Sequence, residues 1–299
     1  MLNHILVPLD GSHLAEMALP TAALLAQKLG ADVSLAHFIE KNAPISIHGD
    51  RHLANPAEAN SYLAETVRVY FSTGTRVECH VHSEVVDNVA KSIISHTGEL
   101  SSDLIVMCTH GSSGVHDFMV GNIAQQVIAE GSTPLLLLRP DKCGDSPVIN
   151  RILVALDGIP EHENGLPLVA RLASVFSASL DLVQVVPTLA TLSGYQAASG
   201  RLLPNSTSIV LELAESEAEK HLAEHVSEWQ SAGLQVQAEV RRGEPAPQVI
   251  AAAQDSDLIV VGTHGKAGLK AFWAGSVASK IITQTQLPIL LIPVSLVFS

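Results

Sequence analysis

Gly262, Gly265, Gly275 and Ser276 stand in a set spacing: glycine, two residues, glycine, nine residues, then glycine–serine. Lys266 and Lys270 lie inside that window. These residue types suit the gripping of an anion. A glycine has no Cβ, so its backbone can come close to a bulky charged group. A helix opening at Gly275 and Ser276 would aim its unpaired N–H groups, and the positive end of its dipole, at that group. No acid lies between Gly262 and Lys280, so nothing there opposes the lysines. The chemistry on offer is the holding of a phosphate chain.

Such a loop needs a strand before it and a helix after it. The apolar run Leu258 to Val261 supplies the strand. Its continuity suits a strand covered on both faces, as in a parallel sheet. The rest of the chain repeats this arrangement. His4-Ile-Leu-Val-Pro-Leu-Asp-Gly11 recurs as Arg151-Ile-Leu-Val-Ala-Leu-Asp-Gly158. Ser102-Asp-Leu-Ile-Val-Met-Cys-Thr-His-Gly111 recurs as Ser256-Asp-Leu-Ile-Val-Val-Gly-Thr-His-Gly265. Thr133-Pro-Leu-Leu-Leu-Leu-Arg-Pro140 recurs, one residue shorter, as Leu287-Pro-Ile-Leu-Leu-Ile-Pro293. The order is kept, so the chain reads as a tandem duplication. The modules span residues 1–141 and 148–299, joined by the polar, turn-rich segment 141–147.

In the first module the pattern predicts strands at 5–9, 33–39, 76–82, 104–108 and 135–138. It predicts helices at 15–29, 57–71 and 85–95, and one from Gly121 to about Glu130. The second module repeats this with a longer helix, 208–231. Strands alternating with helices imply an α/β fold with right-handed crossovers and a doubly wound sheet. Ligands of such sheets lie at the carboxyl ends of strands, where strand order reverses. Asp157, ending the second module's first strand, and Gly262, ending its fourth, both fall there.

Composition bounds the partners. The chain has 299 residues, 47% of them apolar, and a formal net charge of −13. That balance argues against a general binder of nucleic acid or anionic membrane, so any phosphate site is local. Cys79, Cys108 and Cys143 form no CxxC pair, which points to small buried residues in a reducing compartment. No leader is visible at the N-terminus, and no apolar run approaches the ~18 residues of a membrane helix. The expectation is a cytoplasmic protein.

The loop, the strand before it and Asp157 resemble the universal stress protein family in its tandem two-domain form. The likeness covers nearly the whole chain. It implies two Rossmann-like modules, each a five-stranded parallel sheet of order 3-2-1-4-5. It also implies ATP, with or without Mg²⁺, across strands one and four. On that resemblance the nucleotide would meet Ala155, Leu156 and Asp157 on the ribose or base side, with Val185 lining the adenine pocket. Val261, Gly262, His264, Gly265 and Lys266 would lie under the ribose and phosphates. Gly275, Ser276 and Val277 would hold the phosphate end.

The first module departs from this pattern. Cys108 stands for Gly262, Asn122 for Ser276, Phe38 for Val185, Ser112 for Lys266 and His116 for Lys270. The window Cys108–Gln126 holds one charge, Asp117 (−1), whereas Gly262–Lys280 holds Lys266, Lys270 and Lys280 (+3). Each lysine beside a phosphate is worth roughly 0.5–1 kcal/mol after screening. The second module is therefore expected to bind ATP, and the first weakly or not at all.

Plainer readings exist for each feature. The glycine loop could be only a tight strand-to-helix connection, and Asp10 and Asp157 simple turn residues. His110 and His264 read as loop histidines bonding their own backbone. The group His37, His48, His52, His80, His82 and His96 tempts a zinc assignment, but no thiolate pair or HExxH helix supports one. No metal ligands are assigned. The helix from Leu211 to Trp229 reads as solvated and amphipathic. The proline-bounded last strands, 134–140 and 288–293, are edges that could pair with each other in an intramolecular pseudo-dimer, or in a homodimer.

The favoured function is an ATP-binding sensor of stress with a protein partner. The first rival is an enzyme, at most a slow ATPase or another nucleotide enzyme of the wider fold. No GxxxxGK, HIGH or SGGxDS loop is present. The second rival is a scaffold holding a small apolar ligand in the first module, with residues 41–56 as its lid.

Overall fold

The structure is a computed structural model describing residues 2–41, 46–47, 50–51, 53–109, 121–140, 147–192, 198, 202–263 and 276–294. Its apolar runs form strands β1 (His4–Pro8), β2 (Asp32–Glu40), β5 (Val77–Val86), β6 (Leu104–Cys108) and β7 (Leu135–Leu138) in the first module. The second module supplies β8 (Arg151–Leu156), β9 (Ser179–Val186), β10 (Val236–Arg242), β11 (Leu258–Thr263) and β12 (Ile289–Pro293). A small hairpin, β3 (Ser46–Ile47) and β4 (Asp50–Arg51), stands apart. Within each module the pairing is parallel, and the spatial order by strand rank is 3-2-1-4-5. This is the doubly wound α/β arrangement that alternation implied.

The two last strands meet. β12 pairs antiparallel with β7, Ile289 opposite Leu137 and Leu291 opposite Leu135, which joins the modules into one 10-stranded sheet. Leu136 and Leu290 face each other at its centre, 4% and 1% exposed. Each strand thereby covers an edge that would otherwise offer unpaired backbone.

Helices cover both faces: α1 (His13–Glu16), α2 (Leu19–Leu29), α3 (Pro56–Tyr70), α4 (Val89–Glu99) and α5 (Asn122–Glu130), then α6 (Leu166–Phe176), α7 (Pro204–Ser231), α8 (Pro245–Ala252) and α9 (Val277–Gln284). The strands alternate as a two-sided core requires. Ile5, Val7, Ile152 and Val154 pack on one face, and Leu6, Ile105, Leu153 and Ile259 on the other.

Two predicted boundaries move. The helix expected at 85–95 begins at Val89, because β5 runs on to Val86 along β2. Asn88 then caps the helix, its Oδ1 accepting the Lys91 N–H at 3.0 Å. β-Branched Val85 and Val86 suit the strand better than a first helical turn. The helix expected at 15–29 is broken after Glu16. Pro20 has no N–H to donate, so it sits in the first turn of a new helix. Among the described residues, no helix is long and apolar enough to cross a membrane.

A paired aspartate fixes the strands that carry the site. Asp257 Oδ2 accepts the N–H groups of Asn150 (2.7 Å) and Arg151 (3.0 Å). Asp103 does the same for Asn3 (2.7 Å) and His4 (3.1 Å). Each ties the start of its module's fourth strand to the start of the first, which sets strand one against strand four.

Candidate nucleotide site

The carboxyl ends of β8 and β11 open into a cavity of about 520 Å³. That volume lies within the usual range for small-molecule sites. Eight of the residues singled out in the sequence line it: Ala155, Leu156, Asp157, Val185, Val261, Gly262, Ser276 and Val277. His264, Gly265, Lys266 and Gly275, together with Lys270, lie outside the described residues. A larger hollow of about 820 Å³ lies between α7 and β10 and holds none of the singled-out residues.

The mouth is set by two turns. After β8, Asp157 Oδ1 accepts the Ile159 N–H at 3.0 Å, and its Oδ2 lies 2.6 Å from His162 Nδ1. The aspartate is thus both a turn residue and a half-exposed carboxylate at the cavity. Gly158 between them needs to be glycine. Its φ is +75°, and a Cβ would fall 2.4 Å from Gln184 Nε2. Gly165 is demanded by packing, since a Cβ there would lie 2.4 Å from the Ile292 side chain.

Gly262 differs from both. Its backbone needs no left-handed conformation, and a Cβ would meet only Val294 Cγ1 at 3.5 Å, an ordinary contact. Within the described residues, then, neither packing nor backbone geometry requires a glycine there. The position is exposed at the cavity, where open space next to the strand is what a ligand would use.

At the other side α9 begins. Ser276 caps it, its Oγ accepting the Ser279 N–H at 3.0 Å while Ser279 Oγ donates to the Ser276 carbonyl at 2.9 Å. The Ser276 hydroxyl therefore organises the helix end. The N–H groups of Val277 and Ala278, at the first turn and lining the cavity, are the ones an anion could meet.

The first module fills the equivalent place with rings. Phe38 is buried, its centroid 5.1 Å from that of His96, edge to face, and 6.0 Å from that of His82. Burial, ahead of its charged neighbours, holds the His96 imidazole below its usual range. His37 spans Leu9 O (2.9 Å) and Leu53 O (2.8 Å) through its two ring nitrogens. Cys79 is exposed rather than buried, and Cys108 is half-buried. The histidines of this module form no three-ligand cluster among the described residues.

One such cluster does exist there, in the second module: Glu163, His221 and His225. The sequence signal for it was His221 and His225 four residues apart on a helix. Glu163 is distant in sequence and could not be read.

Comparison with known proteins follows the same lines. The Universal stress protein family matches this chain twice, over residues 1–139 and 149–293. A universal stress protein of Mycolicibacterium smegmatis is 23% identical over 308 residues, 96% of each chain. Universal stress protein YxiE of Bacillus subtilis is 28% identical over 150 residues, covering 46% of this chain and 100% of its own. Among solved structures, a universal stress protein from Archaeoglobus fulgidus superposes with a TM-score of 0.67 at 16% identity, over 98% of this chain and 97% of that one. A functionally unknown protein from Pseudomonas aeruginosa PAO1 superposes at 0.69 with 18% identity, over 98% and 92%. These structures share the fold across both modules.

Proposed function

We propose that this chain, which belongs to the universal stress protein family, holds one adenine nucleotide, ATP with or without Mg²⁺, in its second module and acts as a nucleotide-dependent sensor. The modules are bounded near residues 141 and 148. The observation that carries the reading is Gly262: a glycine beside a cavity of ligand size, with no demand from the surrounding described protein for its missing side chain. The helix end at Ser276 and Val277, the Asp157 carboxylate and the local excess of lysine support it. Phe38 and Cys108 in the first module support the asymmetry.

A sensor must pass on its occupancy. Ile292 and Val294 line the cavity, and Ile292 belongs to β12, the strand paired with β7 of the first module. Filling the cavity would press on the strand that joins the modules, and so bias which surface meets a protein partner in the cytoplasm. No poised nucleophile is needed for this, and turnover is at most slow.

Calorimetry of ATP, ADP and AMP with the whole chain tests the reading. One site per chain is expected, lost in Gly275→Asp, which puts a side chain and a negative charge at the phosphate end. Absence of any adenine nucleotide affinity, or two equal sites, would refute it.

A further inference from the structure

Glu163 follows the short turn Pro160–His162 at the cavity rim and reaches across to the long helix α7. His221 and His225 lie one turn apart on α7 and meet it there. His221 Nε2 is 3.0 Å from Glu163 Oε1, and His225 Nε2 is 3.0 Å from Glu163 Oε2. The two rings are nearly perpendicular, 85°, with centroids 4.8 Å apart. All three ligand atoms lie within 4.8 Å of one another.

Hydrogen bonding accounts for only part of this. His225 Nε2 bonds Glu163 Oε2. Glu163 Oε1, though buried, accepts no hydrogen bond among the described residues, because His221 Nε2 stands near it outside hydrogen-bond geometry. The other nitrogen of His221 explains why that matters. Its Nδ1 lies 3.2 Å from Gln184 Oε1, an oxygen that can only accept. The Nδ1 therefore carries the proton, and in a neutral ring Nε2 presents its lone pair. Nε2 and the buried carboxylate oxygen then lie 3.0 Å apart with no hydrogen between them. A cation between them removes that conflict. The Gln184 contact is the kind of outer support that fixes the tautomer of a metal-bound histidine.

We infer that Glu163, His221 and His225 form a binding site for a Zn²⁺-class transition metal. Two imidazoles and one carboxylate are the donors of such ions, whereas Mg²⁺ and Ca²⁺ prefer all-oxygen shells. Tetrahedral zinc with bonds of roughly 2.0–2.1 Å sets its donors about 3.3 Å apart, near the 3.0 Å that separates each histidine Nε2 from a Glu163 oxygen and inside the 4.8 Å spread of the three donors. The side chains are 12%, 21% and 17% exposed, sheltered yet open enough for an ion to enter. Three protein donors leave room for water or another ligand. The ion would pin α7 to the rim of the cavity. The site stands independently of the nucleotide reading, and either can fail alone.

The test uses the full chain, stripped with chelator and free of nucleotide, in competition for zinc with a chromophoric chelator. One tight zinc per chain is expected, together with the intense visible bands of low-symmetry Co²⁺ when cobalt replaces it. Glu163→Gln and His225→Ala should each lower affinity by on the order of 10-fold or more, and the cobalt bands should go. Gln184→Leu should cost about 10–100-fold, and Gln184→Glu, which keeps the acceptor, should restore binding. His82→Asn should change nothing. The near-isosteric Glu163→Gln answers the question even if His225→Ala does not fold. Zinc uptake by Glu163→Gln equal to that of the wild type, or none by the wild type at micromolar zinc, would overturn the assignment.

Discussion

Gly262→Cys places in the second module the residue that the first module carries at Cys108. Its effect on folding follows from the local geometry. The new Cβ meets Val294 Cγ1 at 3.5 Å, an ordinary contact, and the backbone there is free of left-handed strain. Glycine inside a strand costs roughly 0.5–1 kcal/mol relative to alanine, so stability should hold or rise slightly. The effect on binding has the opposite sign. The added Cβ and Sγ enter the cavity, and crowding of that kind typically costs about 1–3 kcal/mol. At about 1.4 kcal/mol per tenfold, ATP affinity should fall roughly 5- to 150-fold. Calorimetry reads the affinity, and a urea melt reads the stability. Gly165→Ala is the contrasting control. Its Cβ would lie 2.4 Å from the Ile292 side chain, so it should lose stability directly. An unchanged ATP affinity in a stable Gly262→Cys would remove the nucleotide from that strand end. A collapse in its stability would show Gly262 to be a packing residue, and the reasoning from its spare space would be wrong.

Asp257→Ala leaves the N–H groups of Asn150 and Arg151 without their shared acceptor, and the urea midpoint should fall by an amount equivalent to about 1.5–3 kcal/mol. Leu290→Ala, at the centre of the β7–β12 junction, should cost about 2–5 kcal/mol, and hydrogen exchange should rise on the first-module strand β7 as well as on β12. His96 makes acid stability testable. Burial lowers its folded pKa below the 6.5 of a free imidazole, so below that pH the unfolded chain takes up more protons. Stability therefore falls as pH drops from 6.5 through the folded pKa, and is unaffected by this group above it. His96→Phe should flatten that limb in chemical melts at pH 5 to 7, and an unchanged slope would place the acid sensitivity elsewhere.

The fold was legible because its signals were local and repeated. Apolar runs and the three duplicated segments identified the strands, and alternation with helices gave the parallel order. Boundaries failed where tertiary pairing prolonged an element. β5 extends to Val86 because β2 lies alongside, Glu40 pairing with Val86 beyond a register shift and the Lys41 N–H donating to the Val86 carbonyl. The shared Ser-Asp-Leu-Ile-Val motif was visible as a repeat. Its reason, one carboxylate stapling two strand starts, needed the neighbouring strand in view. The site was legible at its strand ends, where Asp157, Val185 and Gly262 share a cavity. Long-range partners were not: Glu163 stands 58 residues before His221 and 62 before His225 (221 − 163 and 225 − 163), and no spacing rule links them.

The two modules share a topology, so any difference in what they bind must come from a few side chains at corresponding places. Val185 and Phe38 occupy the same position on the second strand of each module. The smaller side chain leaves a cavity bounded by Asp157, Gly262 and the start of α9. The larger one turns inward against His82 and His96 and is itself part of the core. Opening the first module would thus require more than Phe38→Val. That change would take from His96 one of its two ring partners, leaving His82, and open a cavity in the core, a loss that for a large-to-small substitution runs to several kcal/mol. The ring cluster is therefore part of the first module's stability. In the second module, Gly262 and Val185 leave the corresponding volume open. On this reading one copy of the duplication has become scaffold, and the copy that kept its space holds the ligand.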